Sequence, residues 1–285
     1  MPTRLDEWLT SHAGVHFDAT TRVTAVQSAY QLIEIFETPD MGRLMRIDGA
    51  NMTSERDEFF YHEALVHPAA VAHPEPRRVL VVGGGDGGSS EEALKHPAVE
   101  ACVMCELDPA VIETSKAWLP KVHNNVWTSP RLKVHVGDGM AYVREIESHA
   151  QLDLIYLDLT DPVGPAEALY RPPFFADCKR ALNDGGALVL HIGSPFFHPE
   201  RVRASMQHLR ALFAKVTPYF VYIPIYGALW GFAVASDTLD IAALSAPEID
   251  ARLATRGVDG RQLYTGAMHH AMLTVPPHAQ GLLNG

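Results

Sequence analysis

Asp158 and Asp161 close an apolar run, Leu152-Asp153-Leu154-Ile155-Tyr156-Leu157, and are followed by Pro162, Gly164 and Pro165. The run predicts a buried strand, so both acids emerge at the carboxyl edge of a parallel sheet, where open α/β sheets bind ligands. The prolines and the glycine can neither extend a strand nor open an ordinary helix, which fixes the loop beside the acids. Two carboxylates on a rigid loop suit a cationic substrate. A solvated Asp-Pro turn has the same local sequence and carries no chemistry, so the choice rests on what surrounds it.

Arg78–Val82 is a short β-branched strand that runs into Gly83-Gly84-Gly85-Asp86-Gly87-Gly88, and a helical pattern follows through Glu92, Leu94 and Lys95. A second apolar strand, Ala101–Cys105, ends at Glu106. An acid about 20 residues beyond a glycine-rich strand-to-helix turn is placed to bind a ribose diol. Gly83 and Gly85 are the matching nucleoside contacts in the turn. Asp86 would repel a phosphate, and no Gly-Lys-Ser/Thr follows, so a triphosphate or dinucleotide is disfavoured. An acidic loop accepts a nucleoside that carries positive charge. S-adenosyl compounds therefore rank above NAD.

The next strand, Leu132–Val136, ends in Gly137-Asp138-Gly139. A carboxylate there can accept a hydrogen bond from an adenine amino group, with Gly139 leaving room for the ring. Gly-Asp-Gly is also an ordinary turn, and it gains meaning only as the third acid at a third strand end. Asp108-Pro109 has the form of a helix N-cap followed by proline at the first helical position, a structural role.

A composition that is 47% hydrophobic and 20% charged is that of an ordinary globule, and 285 residues allow one large or two modest domains. A formal charge of −11 argues against nucleic acid as a partner and suits a polycationic ligand. Three cysteines without a recognisable secretory leader predict a reducing, cytoplasmic setting. Cys102 and Cys105 lie within the second strand and read as core residues. None of the 15 histidines falls in a metal-ligand pattern, so no metal is expected. Residues 216–236 lack charge, but Pro218, Pro224, Gly227 and Gly231 break the stretch. They predict a hairpin, Tyr219–Ile223 with Trp230–Ala235, instead of a membrane span.

Residues 1–70 hold strand-like runs at Tyr30–Glu37 and Arg43–Asp48, then an amphipathic stretch from Glu58 to His67. The linker Ala72-His73-Pro74-Glu75-Pro76 precedes strands alternating with helical segments as far as about Asp240. The fold class that follows is α/β: a Rossmann-like, doubly wound, mostly parallel sheet over 71–285 with a small β domain over 1–70. A helix at Ile249–Arg256 and a strand-like closing segment complete the chain.

Eight motifs, in order, resemble those of the polyamine aminopropyltransferases. They are S-x-Y-Q at Ser28–Gln31, E-R-D-E-F-F-Y-H-E at Glu55–Glu63, the G-G-G-D-G-G turn, C-E-L-D at Cys105–Asp108, G-D-G, D-x-x-D-P-x-G-P-A from Asp158, P-x-Y at Pro224–Tyr226 and H-A-x-x-x-x-P at His270–Pro276. The resemblance runs from about Val23 to Pro276. It implies a methyltransferase-type fold without a resident cofactor, and a dimer or tetramer. The implied reaction is attack by an amine of putrescine on the aminopropyl carbon of decarboxylated S-adenosylmethionine, giving spermidine and methylthioadenosine. In that family Asp158 would accept the proton and Asp161 would help bind the diamine, with Tyr61, His62 and Tyr226 lining the same cavity. Asp86 would hold the aminopropyl ammonium, Glu106 the ribose hydroxyls, and Asp138 with Gly139 the adenine. Gln31 and Pro165 would complete the nucleoside pocket.

The chemistry asks for these residue types. A primary amine resembles lysine, with a pKa of about 10.4, so deprotonation at neutral pH costs roughly 4–5 kcal/mol. Carboxylates that hold the ammonium raise that pKa further, which predicts a division of labour between holding charge and taking the proton. The chain departs from the family pattern at Met52 (usually glutamine), Glu91 (commonly arginine) and Leu159 (usually small). Tyr226-Gly227-Ala228-Leu229-Trp230 and the segment from Tyr61 to Ala69 lean towards thermospermine synthase-like members, which implies an acceptor longer than putrescine as the alternative. A methyltransferase would share the nucleoside half of the site but would not need Asp86 or a second acid.

Overall fold

Alternating apolar and polar residues punctuated by turn signals make the amino-terminal part all β. The computed structural model describes residues 3–146, 152–162 and 164–283. Strands β1 (Thr3–Trp8) and β2 (Gly14–Ala19) form a separate hairpin. The next four, β3 (Thr21–Gln27), β4 (Leu32–Thr38), β5 (Gly42–Ile47) and β6 (Ala50–Ser54), form an antiparallel sheet in sequence order. Asp48 and Gly49, with φ of 49° and 83°, join β5 to β6 in the two-residue turn that Asp-Gly favours. The sequence reading found β4 and β5 but not the first hairpin.

Helix α1 (Glu58–Ala72) then leads into β7 (Arg78–Gly83), α2 (Gly88–Leu94), β8 (Ala101–Glu106), α3 (Pro109–Trp118), α4 (Pro120–His123), β9 (Leu132–Val136) and α5 (Gly139–Ile146). After these come β10 (Leu152–Asp158), α6 (Pro172–Ala181), β11 (Leu182–Gly193), α7 (Pro199–Arg210), β12 (Lys215–Ile223) and β13 (Ala228–Ser236). The chain closes with α8 (Ala246–Thr255), α9 (Gly266–Leu273) and α10 (Pro277–Leu283). The large sheet has the order β12-β13-β11-β10-β7-β8-β9, with only β13 antiparallel to its neighbours. The expected mostly parallel, doubly wound sheet is present. The expected hairpin is β12 with β13, and among the described residues no helix is long and apolar enough to cross a membrane.

Each central strand buries both faces, as parallel strands covered by helices do. Val79, Val81, Leu154 and Tyr156 face α1, whereas Leu80, Val82, Ile155 and Leu157 face Phe174 and Phe175 of α6. The small sheet packs Ile33, Ile35, Met45 and Ile47 onto Val111 of α3 and onto Leu119 and Val122 at α4.

Two local expectations are corrected. The stretch from Glu58 is not amphipathic: every residue from Tyr61 to Val71 is buried, because α1 lies between the large sheet and helices α2 and α8. Pro68 inside it cannot donate to Ala64 O, and the buried Tyr219 hydroxyl donates there instead at 2.9 Å. The closing segment is helical, not strand-like. Thr265 caps α9 by accepting from Met268 N–H, and Pro277 opens α10 at a position where proline is preorganised.

Candidate active site

The chain reverses its course across the large sheet between β7 and β10, and the acids collect at that switch point. Asp158, the last residue of β10, pairs with Gly83, the last of β7. Gly83 takes φ +80°, and a Cβ there would lie 2.1 Å from Asp158 O, so only glycine fits. Gly84 N–H donates to the same oxygen at 2.8 Å, which turns the chain towards Asp86. Asp86 Oδ1 accepts from Gly88 N–H at 3.0 Å and opens α2.

Asp86 has a cationic partner within the fold. His62 lies one turn after Glu58 on α1, with Nδ1 2.7 Å from Glu58 Oε2 and Nε2 3.4 Å from Asp86 Oδ2. Burial opposes protonation of the ring, but Asp86 and Glu58 outweigh it and raise the His62 pKa well above the usual value. Burial likewise tends to raise the Asp86 carboxyl, and His62 overcomes this to hold it below the usual carboxylate range. Gly88 makes the approach possible, since a Cβ there would lie 2.2 Å from His62 Cε1. Ligand atoms of His62, Asp86 and Asp158 fall within 4.8 Å of one another, a spacing that could hold a metal ion. A protonated imidazole with both nitrogens donating has no lone pair to offer one.

Asp158 differs from Asp86. Its Oδ2 is buried without a hydrogen-bond partner, and burial together with the Asp86 charge pushes the carboxyl up to about 6, against the pull of His62. The Tyr61 hydroxyl is also buried without a partner, and burial raises its pKa well above 10, so it stays protonated. Its ring packs edge-on against His62 at 5.5 Å and against Tyr226 at 6.3 Å. The Tyr226 hydroxyl donates to Met52 O at 3.1 Å.

A cavity of about 440 Å³ joins these groups to the ends of β8 and β9. Its wall includes Gln31, Gly83, Gly85, Glu106, Asp138 and Gly139, together with Tyr61, His62, Asp86, Asp158 and Tyr226. Burial pushes Glu106 up to about 7, although Asp108 N–H donates to it at 2.9 Å. Asp138 caps its own turn, accepting from Met140 N–H at 2.8 Å. Gln31 Nε2 and Ser28 Oγ donate to Asp108 at 3.0 and 2.6 Å, so the N-cap also fastens the small sheet to the site. The Met52 and Leu159 side chains fall on the cavity wall, while Glu91 pairs with Lys95 at 3.1 Å.

Two expected residues stand apart. Asp161 is not on the cavity wall and forms an ion pair with Arg201 at 2.7 Å. Pro165 falls in a 3-10 turn, Gly164–Tyr170, and its side chain lies outside the described residues. The sequence reading missed Asp57 and Glu58, although both lie inside a motif it quoted. Asp57 accepts from Ser54 Oγ at 2.6 Å and Ile225 N–H at 2.7 Å, tying β6 to the segment that carries Tyr226.

The cavity therefore gathers a carboxylate beyond the ends of four neighbouring strands, Asp86 after β7, Glu106 on β8, Asp138 after β9 and Asp158 on β10. Residues 58–244 match the spermine/spermidine synthase domain, and residues 17–55 match the spermidine synthase tetramerisation domain. A polyamine aminopropyltransferase of Nitrosomonas europaea is 48% identical over 278 residues, covering 98% of this chain and 85% of the relative. One of Pyrobaculum calidifontis is 39% identical over 280 residues, covering 97% and 96%. Among solved structures, a spermidine synthase in complex with the transition-state analogue AdoDATO superposes with a TM-score of 0.92 at 29% identity, covering 99% of this chain and 95% of that one. The spermidine synthase of Thermotoga maritima gives 0.90 at 29% identity, covering 99% and 94%. With the fold, the order of motifs and the domain match in agreement over most of its length, the chain belongs to the spermine/spermidine synthase family, the polyamine aminopropyltransferases.

Proposed function

We propose that this protein transfers the aminopropyl group of decarboxylated S-adenosylmethionine to putrescine, releasing 5′-methylthioadenosine and forming spermidine. The observation that carries this reading is the contrast between two neighbouring acids. Asp86 is held ionised by His62, whereas Asp158 has no cation in contact, keeps a buried Oδ2 without a close hydrogen-bond partner and is pushed up to about 6. Asp86 holds the aminopropyl ammonium. Asp158 takes the proton as the acceptor nitrogen bonds to the aminopropyl carbon, and the carbon–sulfur bond breaks with its electron pair going to sulfur. The sulfonium leaves as a neutral thioether, so charge falls at the reacting centre and no stabilised anion is needed.

The remaining cavity residues divide by position. Glu106 receives the ribose hydroxyls, and Asp138 with Gly139 and Gln31 frames the adenine. Tyr61 and Tyr226 enclose the acceptor and exclude water, which strengthens the Asp158–amine contact. The match to a tetramerisation domain supports assembly into a homodimer or homotetramer, which light scattering on the purified protein decides.

The test is product analysis by mass spectrometry after incubation with decarboxylated S-adenosylmethionine and equimolar putrescine, cadaverine and spermidine. Spermidine with stoichiometric methylthioadenosine is the expected result. A tetraamine as the main product keeps the mechanism and moves the acceptor to a longer amine. No methylthioadenosine with any amine refutes the reading. A narrower check concerns the Asp86–His62 contact. Gly88→Ala should displace the imidazole and weaken decarboxylated S-adenosylmethionine, raising its KM about tenfold with a smaller change for free methylthioadenosine, which lacks the ammonium.

A further inference from the structure

Going beyond that reading, we infer that His62, Asp86 and Asp158 form a binding site for a divalent transition-metal ion such as Zn²⁺, with Glu58 orienting the imidazole. The ion and the donor's ammonium then exclude one another, a consequence that rests on the proposed function. One ligand atom from each of the three residues lies within 4.8 Å of the other two, and among the described residues no other group of three His, Cys, Asp or Glu meets that spacing. The three come from α1, the glycine loop and the end of β10, so no local spacing in the sequence announces them.

Each ligand is held with one atom to spare. Asp86 Oδ1 accepts from Gly88 N–H, which leaves Oδ2 to face His62 Nε2 at 3.4 Å. Neighbouring ligands on a zinc tetrahedron with bonds of about 2.1 Å stand about 3.4 Å apart, so this pair already has the required separation. Asp158 Oδ2 is buried without a close hydrogen-bond partner, and it can sit over the loop because a Cβ on Gly84 would lie 2.9 Å from it. The buried His62 ring is packed between the Tyr61 ring and Gly88.

Glu58 completes the set. A metal-bound histidine donates its other N–H to a carboxylate or carbonyl, which fixes the tautomer and aims the free nitrogen at the ion. His62 Nδ1 lies 2.7 Å from Glu58 Oε2, so Nε2 is the nitrogen turned towards Asp86. A proton on Nε2 occupies the lone pair the ion needs, and the ion must displace it. One imidazole and two carboxylates suit Zn²⁺, Co²⁺ or Ni²⁺, whereas Mg²⁺ prefers oxygen alone and gives up its water reluctantly. Three protein ligands leave a fourth position open to the cavity that all three residues line.

The test uses the whole protein, freed of metal by chelation, with Zn²⁺ followed by calorimetry and Co²⁺ by visible absorption. The wild type should bind one Zn²⁺ per chain, at least about a hundredfold more tightly than Mg²⁺, and Co²⁺ should give the intense bands of a four- or five-coordinate site. His62→Gln should remove both signals. Glu58→Gln leaves every ligand in place and should weaken Zn²⁺ by about 10–100-fold, the usual cost of losing the group behind a metal-bound histidine. Folding of each variant is checked by its thermal transition. No Zn²⁺ binding by the wild type overturns the inference, and so does binding that is unchanged in folded His62→Gln or Glu58→Gln. Decarboxylated S-adenosylmethionine should displace the ion, and simultaneous binding overturns the exclusion. A protein that binds Zn²⁺ in this way, yet transfers no aminopropyl group once the metal is removed, refutes the proposed function and leaves the metal site standing.

Discussion

Asp158→Asn should lower kcat for aminopropyl transfer by about 10²–10⁴-fold while changing KM for the nucleoside little, the range of a positioned general base. Asparagine keeps the shape and the β10–β7 register but cannot accept a proton. The pH profile supplies an independent readout. Asp158 must be ionised to act, and its carboxyl is pushed up to about 6, so the rate of the unaltered protein should fall tenfold per unit below that pH. That limb should vanish in the variant. Stability should move the other way. A folded-state pKa above the unfolded one favours folding only while the group is protonated, and the contribution is lost as pH rises through about 6. Asp158→Asn should therefore melt higher than the wild type above pH 6, the usual relation between an active site and the fold that carries it. A rate loss with a lower Tm would instead indicate a structural role.

Glu63→Ala should destabilise the protein by about 3 kcal/mol, with a fall in Tm of roughly 5–10 °C. Glu63 is fully buried on α1 and receives the backbone N–H groups of Gln262, Leu263 and Tyr264 at 2.5, 2.9 and 2.6 Å. Removing the carboxylate leaves those donors, on a segment about 200 positions away, without acceptors. The same helix carries Tyr61 and His62, yet Glu63 lines no part of the cavity. Thermal denaturation should show the loss, while kcat well below the transition should stay within a few fold. Glu63→Gln, which keeps one acceptor oxygen, should fall between.

The central strands and their terminal acids were legible because local sequence dictates them: a β-branched run, glycines that adopt positive φ without strain, and an acid at a fixed interval. What escaped depends on distance along the chain. The interior position of α1 was missed because Glu58, His62, Glu63 and His67 look like a solvent face, although apolar residues lie on every side of the helix and α2 and α8 cover it. Nothing near Asp161 in sequence announces Arg201 as its partner. The β1–β2 hairpin was missed because β1 shows little alternation, although β2 sets Val15, Phe17 and Ala19 against the exposed His16 and Asp18. The final helices were missed because their cap and their proline carry the signal, while their side chains show little amphipathic pattern.

The shared pairing of Gly83 and Asp158 has an evolutionary corollary. On the proposed function, the base Asp158 and the donor-binding glycine loop descend from adjacent strands joined by one peptide hydrogen bond, so their separation is set by the inter-strand spacing of about 4.8 Å and not by side-chain rotamers. The acceptor side of that proposal would be assembled from α1, the β10–α6 loop and the β12–β13 hairpin. Substitutions there can alter which amine is extended without disturbing how the bond is made. A lineage with this architecture can diversify its products by drift at the far end of the pocket, while the reacting geometry is inherited intact.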